Sequence, residues 1–162
     1  MVHTIDDISP IRSSIKRKSG HYGDLDSPYI LALNIFSETS SEEDIFEALF
    51  GDLVVYFSTE SEKSSISNKP NGVWYGPRGY QKTRMSALLT FNDLTPFLIG
   101  KKEPTLWHHP SAEYPIDASS WVLRQKIPNM VTGKLQTTQS KFAKQNLNFD
   151  YLELNKLFNE KP

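Results

Sequence analysis

A chain of 162 residues can form one domain with a real core and is short for two. Its formal net charge of -1 excludes a whole-molecule field that would draw in nucleic acid, so any such surface must be local. With no cysteine, a disulfide framework, a thiolate metal site and a thiol nucleophile are all excluded.

The opening residues, MVHTIDDISP, lack the apolar core of a signal peptide, and no run approaches the roughly 20 apolar residues of a membrane span. A cytoplasmic protein without membrane contact is the expectation. Residues 1–8 read as a lead-in, 9–125 as a core domain and 126–162 as a C-terminal helical extension. The abrupt start beside a capped helix also fits a longer ancestral chain cut at that point.

Ser9 suits an N-cap and Pro10 the first helical position, where its missing N–H has no partner to lose. Ile11, Ile15 and Tyr22 fall near one face at helical spacing, and Arg12, Lys16, Arg17 and Lys18 fall largely on the others. Gly20 and Gly23 can end this helix, and Asp24, Asp26, Ser27 and Pro28 supply turn chemistry. Tyr29–Phe36 is almost unbroken apolar sequence, which predicts a central strand covered on both faces, with Asn34 its one strongly hydrogen-bonding side chain. In SSEED, Ser40 and Glu43 stand at capping-box spacing before a helix built on Ile45, Ala48 and Leu49, with Phe46 and Phe50 alongside and Gly51 as the stop.

Asp52–Ser58 is rich in β-branched and aromatic residues and predicts the next strand, followed by a polar, Ser-rich loop over Thr59–Asn71. From Gly72, a glycine- and proline-broken stretch is pinned by Trp74, Tyr75 and Tyr80; the basic group Arg78, Lys82 and Arg84 then leads into a strand over Met85–Phe91. Leu94–Gly100 predicts an irregular connection, and Thr105–His108 and Trp121–Leu123 short strands. The C-terminal part predicts helices over Thr137–Gln145 and Asn148–Phe158. Together these elements predict a single α/β (α+β) domain with a mixed central sheet flanked by short helices.

Four pieces of this pattern, IRSSIKRKSGHYGDLDSPYILALN, DIFEALFG, NGVWYGPRGYQKTRMSALL and LWHHPSA, run in order from Ile11 to Ala112 and span about two thirds of the chain. In them the chain resembles a family of bacterial proteins whose longer members join an N-terminal half of the restriction-endonuclease, PD-(D/E)XK type to a C-terminal half much like this one. The resemblance implies a noncatalytic, nucleic-acid-associated module or subunit, with the catalytic carboxylates and lysine expected upstream of the basic helix. Hydrolysis of a phosphodiester needs convergent carboxylates around Mg²⁺ and a nearby lysine. The nearest set here, Asp52 with Glu60, Glu62 and Lys63, fails because Glu62 and Lys63 are adjacent and would point to opposite faces of a strand.

Two basic groups are candidate phosphate-backbone contacts: Arg12, Lys16, Arg17 and Lys18 on the helix, and Arg78, Lys82 and Arg84 on the Gly-rich loop, where Tyr80 offers a stacking surface. Against these stand a solvated helix face and a turn fixed by aromatic burial. His108 and His109, adjacent and diverging in an extended segment, read better as histidines satisfied by backbone carbonyls than as metal ligands.

DNA, a partner chain or a second copy are the partners in view, with no cofactor. The alternatives are a stand-alone nuclease, using Mg²⁺ with Asp24, Asp26 and His109, and a dimerisation module that binds no nucleic acid. On its own the chain reads as noncatalytic.

Overall fold

The computed structural model describes residues 6–21, 25–57, 64–98, 102–129 and 134–138. A mixed α+β fold is built around a five-stranded sheet. In chain order the elements are α1 (Ile8–Lys18), β1 (Tyr29–Ile35), α2 (Glu42–Phe50), β2 (Leu53–Phe57), β3 (Ser64–Asn68), β4 (Tyr75–Gly76), β5 (Gly79–Tyr80), β6 (Met85–Asn92), β7 (Thr105–His108), β8 (Arg124–Asn129) and β9 (Lys134–Thr138). Single 3₁₀ turns cover Pro96–Leu98 and Ala118–Ser120.

The main sheet has the order β1-β6-β7-β8-β9, with β1 parallel to β6, β7 parallel to β8 and the other neighbours antiparallel. Two separate ribbons, β2-β3 and β4-β5, stand outside it. Among the described residues no helix is long and apolar enough to cross a membrane.

One face of the main sheet carries the core. Leu31, Leu33 and Ile35 of β1 stand beside Leu88 of β6 and Trp107 of β7 and are covered by Ile11 and Ile15 of α1 and Ile45, Ala48 and Leu49 of α2. Helix-period spacing on α1 and α2 meets strand-period spacing on β1, so both helices lay an apolar stripe on the same surface.

The helix starts differ from expectation by a residue or two. The N-cap of α1 is Asp7, two positions before Ser9; Asp6 accepts the Ser9 N–H at 3.0 Å while Asp7 accepts the hydroxyls of Ser37 and Thr39. The capping box of α2 uses Ser41 and Asp44 instead of Ser40 and Glu43: Asp44 N–H donates to Ser41 Oγ, and Asp44 Oδ2 accepts the Ser41 N–H at 2.7 Å.

β1 is an edge strand, not the central strand covered on both faces that its apolar run predicts. Ala32 is exposed, Ile30 and Asn34 are half-buried, and Phe36 lies past the strand end, 70% exposed. The doubly covered strand is β6, where Met85 to Leu88 are buried in succession. Asn34 is satisfied by a reciprocal pair: its Nδ2 donates to the Leu94 carbonyl at 2.8 Å and its Oδ1 accepts the Leu94 N–H at 3.0 Å.

β2 forms where expected but pairs with β3, which occupies part of the expected Ser-rich loop. Trp121–Leu123 is not a strand; the strand begins at Arg124, and the expected domain limit at residue 125 falls inside it. Pro128 sits beyond the stretch of β8 that β7 pairs, so its missing N–H breaks no ladder on that side. Thr137 and Thr138 close β9, where β-branched residues pair with Lys126 and Gln125, instead of opening a helix. The remainder of that expected helix, and the one over 148–158, lie outside the described residues, as do Tyr22, Gly23 and Asp24.

Candidate functional site

The loop from Gly72 to Arg84 is held from both sides. The N–H groups of Val73 and Trp74 donate to the carbonyls of Ala48 and Leu49 at the end of α2, at 2.9 and 2.8 Å. Pro77 and Arg78 form the two-residue turn between β4 and β5, with Gly79 at φ +91 supplying the left-handed conformation it needs. Gln81 then ties the ribbon down: its N–H donates to the Trp74 carbonyl at 2.9 Å and its Nε2 to the Gly72 carbonyl at 3.1 Å.

Lys82 follows at φ 60, a left-handed conformation that costs a non-glycine residue on the order of 1 kcal/mol. Its carbonyl accepts the Met85 N–H at 2.9 Å, closing the turn into β6. The tie-downs fix where the basic side chains of this loop leave the surface.

A cleft of about 310 Å³ opens where this loop meets the end of α1. It is lined by Ser19 and Gly20 from the end of α1, by Lys82, Thr83, Arg84 and Met85 from the loop and the start of β6, and by Glu113. Glu113 keeps its negative charge there: its carboxylate accepts the Thr83 hydroxyl at 2.6 Å and its N–H donates to the Thr83 carbonyl at 2.7 Å. The last turn of α1 carries Lys16, Arg17 and Lys18, all exposed. The cleft thus brings together residues bordering the two basic groups, which are over sixty positions apart in the chain.

The other candidates separate. Arg12 does not belong to the exposed cationic face: its guanidinium donates to Asp52 Oδ1 at 2.7 Å and to the Glu47 carbonyl at 3.0 Å, with the side chain only 16% exposed. It joins α1 to the end of α2, and the same contact, with the Asn71 amide, holds the Asp52 carboxyl below the usual carboxylate range. Arg78 is exposed at the ribbon turn, and Tyr80 is 41% exposed beside Tyr75, ring centroids 5.8 Å apart. Arg84 is half-buried in the cleft wall.

Of the catalytic candidates, Asp26 and His109 fall among the described residues. Asp26 is exposed in the turn before β1, and Asp24 lies outside the described residues. His109 is buried with both ring nitrogens engaged: Nδ1 accepts the Ser111 N–H at 3.0 Å, which makes Nε2–H the donor to the Gln81 carbonyl at 3.0 Å. Both nitrogens thus hold backbone groups, of the loop at Gln81 and of the segment after β7 at Ser111. The His109 ring lies 4.9 Å from that of Trp74. Among the described residues no group of three or more His, Asp or Glu side chains is arranged to hold a metal ion.

His108 is satisfied by a side chain instead of a backbone carbonyl. Gln125 Nε2 donates to the carbonyls of Ala118 and Trp121, leaving Oε1 to accept from His108 Nε2 at 2.7 Å. Neither Gln125 nor Gln81 stands out in the sequence, because a glutamine carries no mark of which buried partner it serves.

Burial pushes both imidazoles below the ordinary value of 6.5, outweighing the hydrogen bonds to Gln125 and Gln81 that pull the other way. The unfolded chain therefore binds these protons at a higher pH than the folded one. Their contribution to stability is complete above 6.5 and is lost as the pH falls below it. The urea midpoint is expected to hold steady from about pH 8 to 7 and to drop between about 6.5 and 5, less steeply in His109→Gln. A midpoint level across the lower interval would contradict the assignment of both rings as neutral.

Compared with protein-family models, curated proteins and solved structures, the chain matches none.

Proposed function

We propose that this chain is a noncatalytic nucleic-acid-binding module, a half or subunit of a restriction-like assembly, that grips the phosphate backbone between the last turn of α1 and the loop before β6. The observation that carries this reading is the cleft that Ser19 and Gly20, directly after the basic turn of α1, line together with Lys82, Thr83 and Arg84. A backbone grip is electrostatic and independent of sequence, and it needs cationic donors open to solvent. Lys16, Arg17, Lys18, Arg78 and Lys82 meet that requirement, and Arg12 does not, because its guanidinium is committed to Asp52 and Glu47. Tyr80, partly open on the β4-β5 ribbon, supplies an apolar ring beside the cationic donors. The reaction, where there is one, belongs to a partner or to an upstream half that holds the metal ligands.

The test is a salt titration of duplex DNA binding by fluorescence anisotropy, comparing the protein with a variant carrying Lys16→Ala, Arg17→Ala, Lys18→Ala and Lys82→Ala. All four side chains are exposed, so the variant is expected to fold normally. Affinity at low salt is expected to fall about tenfold or more, and the slope of log K against log salt to shrink by about 0.9 for each phosphate that the variant no longer neutralises. Added Mg²⁺ is expected to produce no cleavage. Binding that is equally tight in the variant, or no binding at all at low salt, would remove the basis for this reading.

A further inference from the structure

The β2-β3 ribbon presents a second surface, unrelated to the cationic cleft. Its register places Val55 opposite Ile66, so Leu53, Val55 and Phe57 of β2 share one face with Ile66 of β3. These four side chains are 52%, 45%, 80% and 65% exposed, a density of open apolar groups matched nowhere else on a single element pair among the described residues. An isolated two-stranded ribbon is marginal in water and needs another layer against its apolar face.

We infer that this face is a homodimer interface, with the ribbon of a second copy of the chain as the layer that covers it. Three features select that occupant. None of the ten residues LVVYF and SSISN is charged, so two copies meet without like-charge repulsion, and nothing on the face would orient a charged partner. Among the described residues the ribbon pairs with no further strand, and its two strands carry no lysine, proline or bulge of the kind that keeps a second copy away. The face is also self-complementary: Val55 is the middle residue of β2, so a two-fold axis there sets Leu53 of one copy against Phe57 of the other.

Counting on the order of 100 Å² for each exposed apolar side chain, the two faces together remove roughly 800 Å² from water, the size class of weak assemblies. An interface of that size is weak, so the dimer is concentration-dependent.

Sedimentation equilibrium of the full chain from about 1 to 200 μM spans that regime. The protein is expected to shift from monomer to dimer across it, and Phe57→Lys with Ile66→Lys to remain monomeric throughout. Because both side chains are open in the monomer, the thermal midpoint of the variant at low concentration is expected to equal that of the parent. A parent that stays monomeric overturns the inference, as does a dimer that persists in the variant. A variant that unfolds overturns it too, since the face would then be covered from within the chain.

Discussion

Trp74→Ala is expected to lower the free energy of unfolding by about 3–5 kcal/mol, read as a shift in urea midpoint at unchanged slope. Trp74 is fully buried, with Phe50 at 5.7 Å and His109 at 4.9 Å between ring centroids. Its main chain bridges the end of α2 to Gln81, so the ring anchors the whole loop that leads to Lys82 and Arg84. Truncation leaves a void that backbone tied on both sides cannot close, and the large transfer free energy of an indole is forfeited without compensation. Under the proposed function, binding to DNA is expected to weaken as well, because the loosened loop no longer holds its cations in place. Trp74→Phe is expected to cost much less, about 1–2 kcal/mol, because the indole N–H has no acceptor among the described residues and its removal breaks no hydrogen bond. An alanine variant destabilised by under about 1 kcal/mol would show that the ring is not the anchor described.

The second large effect is expected at Gly51. Its φ of +101 is closed to ordinary side chains, and a Cβ there would lie 1.8 Å from the Lys69 carbonyl oxygen and 2.9 Å from Asn71 Oδ1. These atoms have little room to move. The Lys69 N–H donates to the Asp52 carbonyl at 2.8 Å, and Asn71 exchanges hydrogen bonds with Asp52 at 3.0 and 2.7 Å. Gly51→Ala therefore adds conformational strain to a clash with fixed backbone, together about 3 kcal/mol or more. Gly79→Ala separates the two effects. Its φ is +91 but a Cβ there meets nothing within 4 Å, so only the conformational part remains, about 1 kcal/mol. Equal destabilisation at the two glycines would mean that the approach of Lys69 to Gly51 is looser than described.

Local chemistry specifies the helices and the strands over Met85–Asn92 and Thr105–His108 closely. Ile11 with Ile15, and Ile45 with Ala48 and Leu49, show helical spacing that only a packed face explains, and those five residues are in the core. Expectation and structure part where one local signal serves two environments. An apolar run such as Tyr29–Phe36 reads the same for a central strand and for an edge strand under two helices, because run length does not record whether a second layer exists. Ser40 and Ser41, both followed three residues later by an acid, are equivalent caps on paper; the path of the chain from β1 selects Ser41. Lys134–Thr138 is strand because β8 lies beside it, a partner that its own residues do not announce.

The candidate site divides the same way. Both basic groups are visible as clusters in the sequence, since charge needs no partner to be read. Arg12 falls among the wrong neighbours there because its acceptors, Glu47 and Asp52, lie far along the chain and are brought to it only by the packing of α1 on α2.

What the sequence alone determined is therefore the set of elements that local preference specifies: two amphipathic helices, the apolar strands, the pinned glycine-rich turn and the positions of the cations. Tertiary structure decided which strand is central, that β2 leaves the main sheet, that Arg12 is structural, and that Ser19 and Lys82 border one cleft. Periodicity and capping act over a turn or two of chain, whereas burial, ion pairing and sheet order are set by contacts between distant segments that form only when the whole core closes.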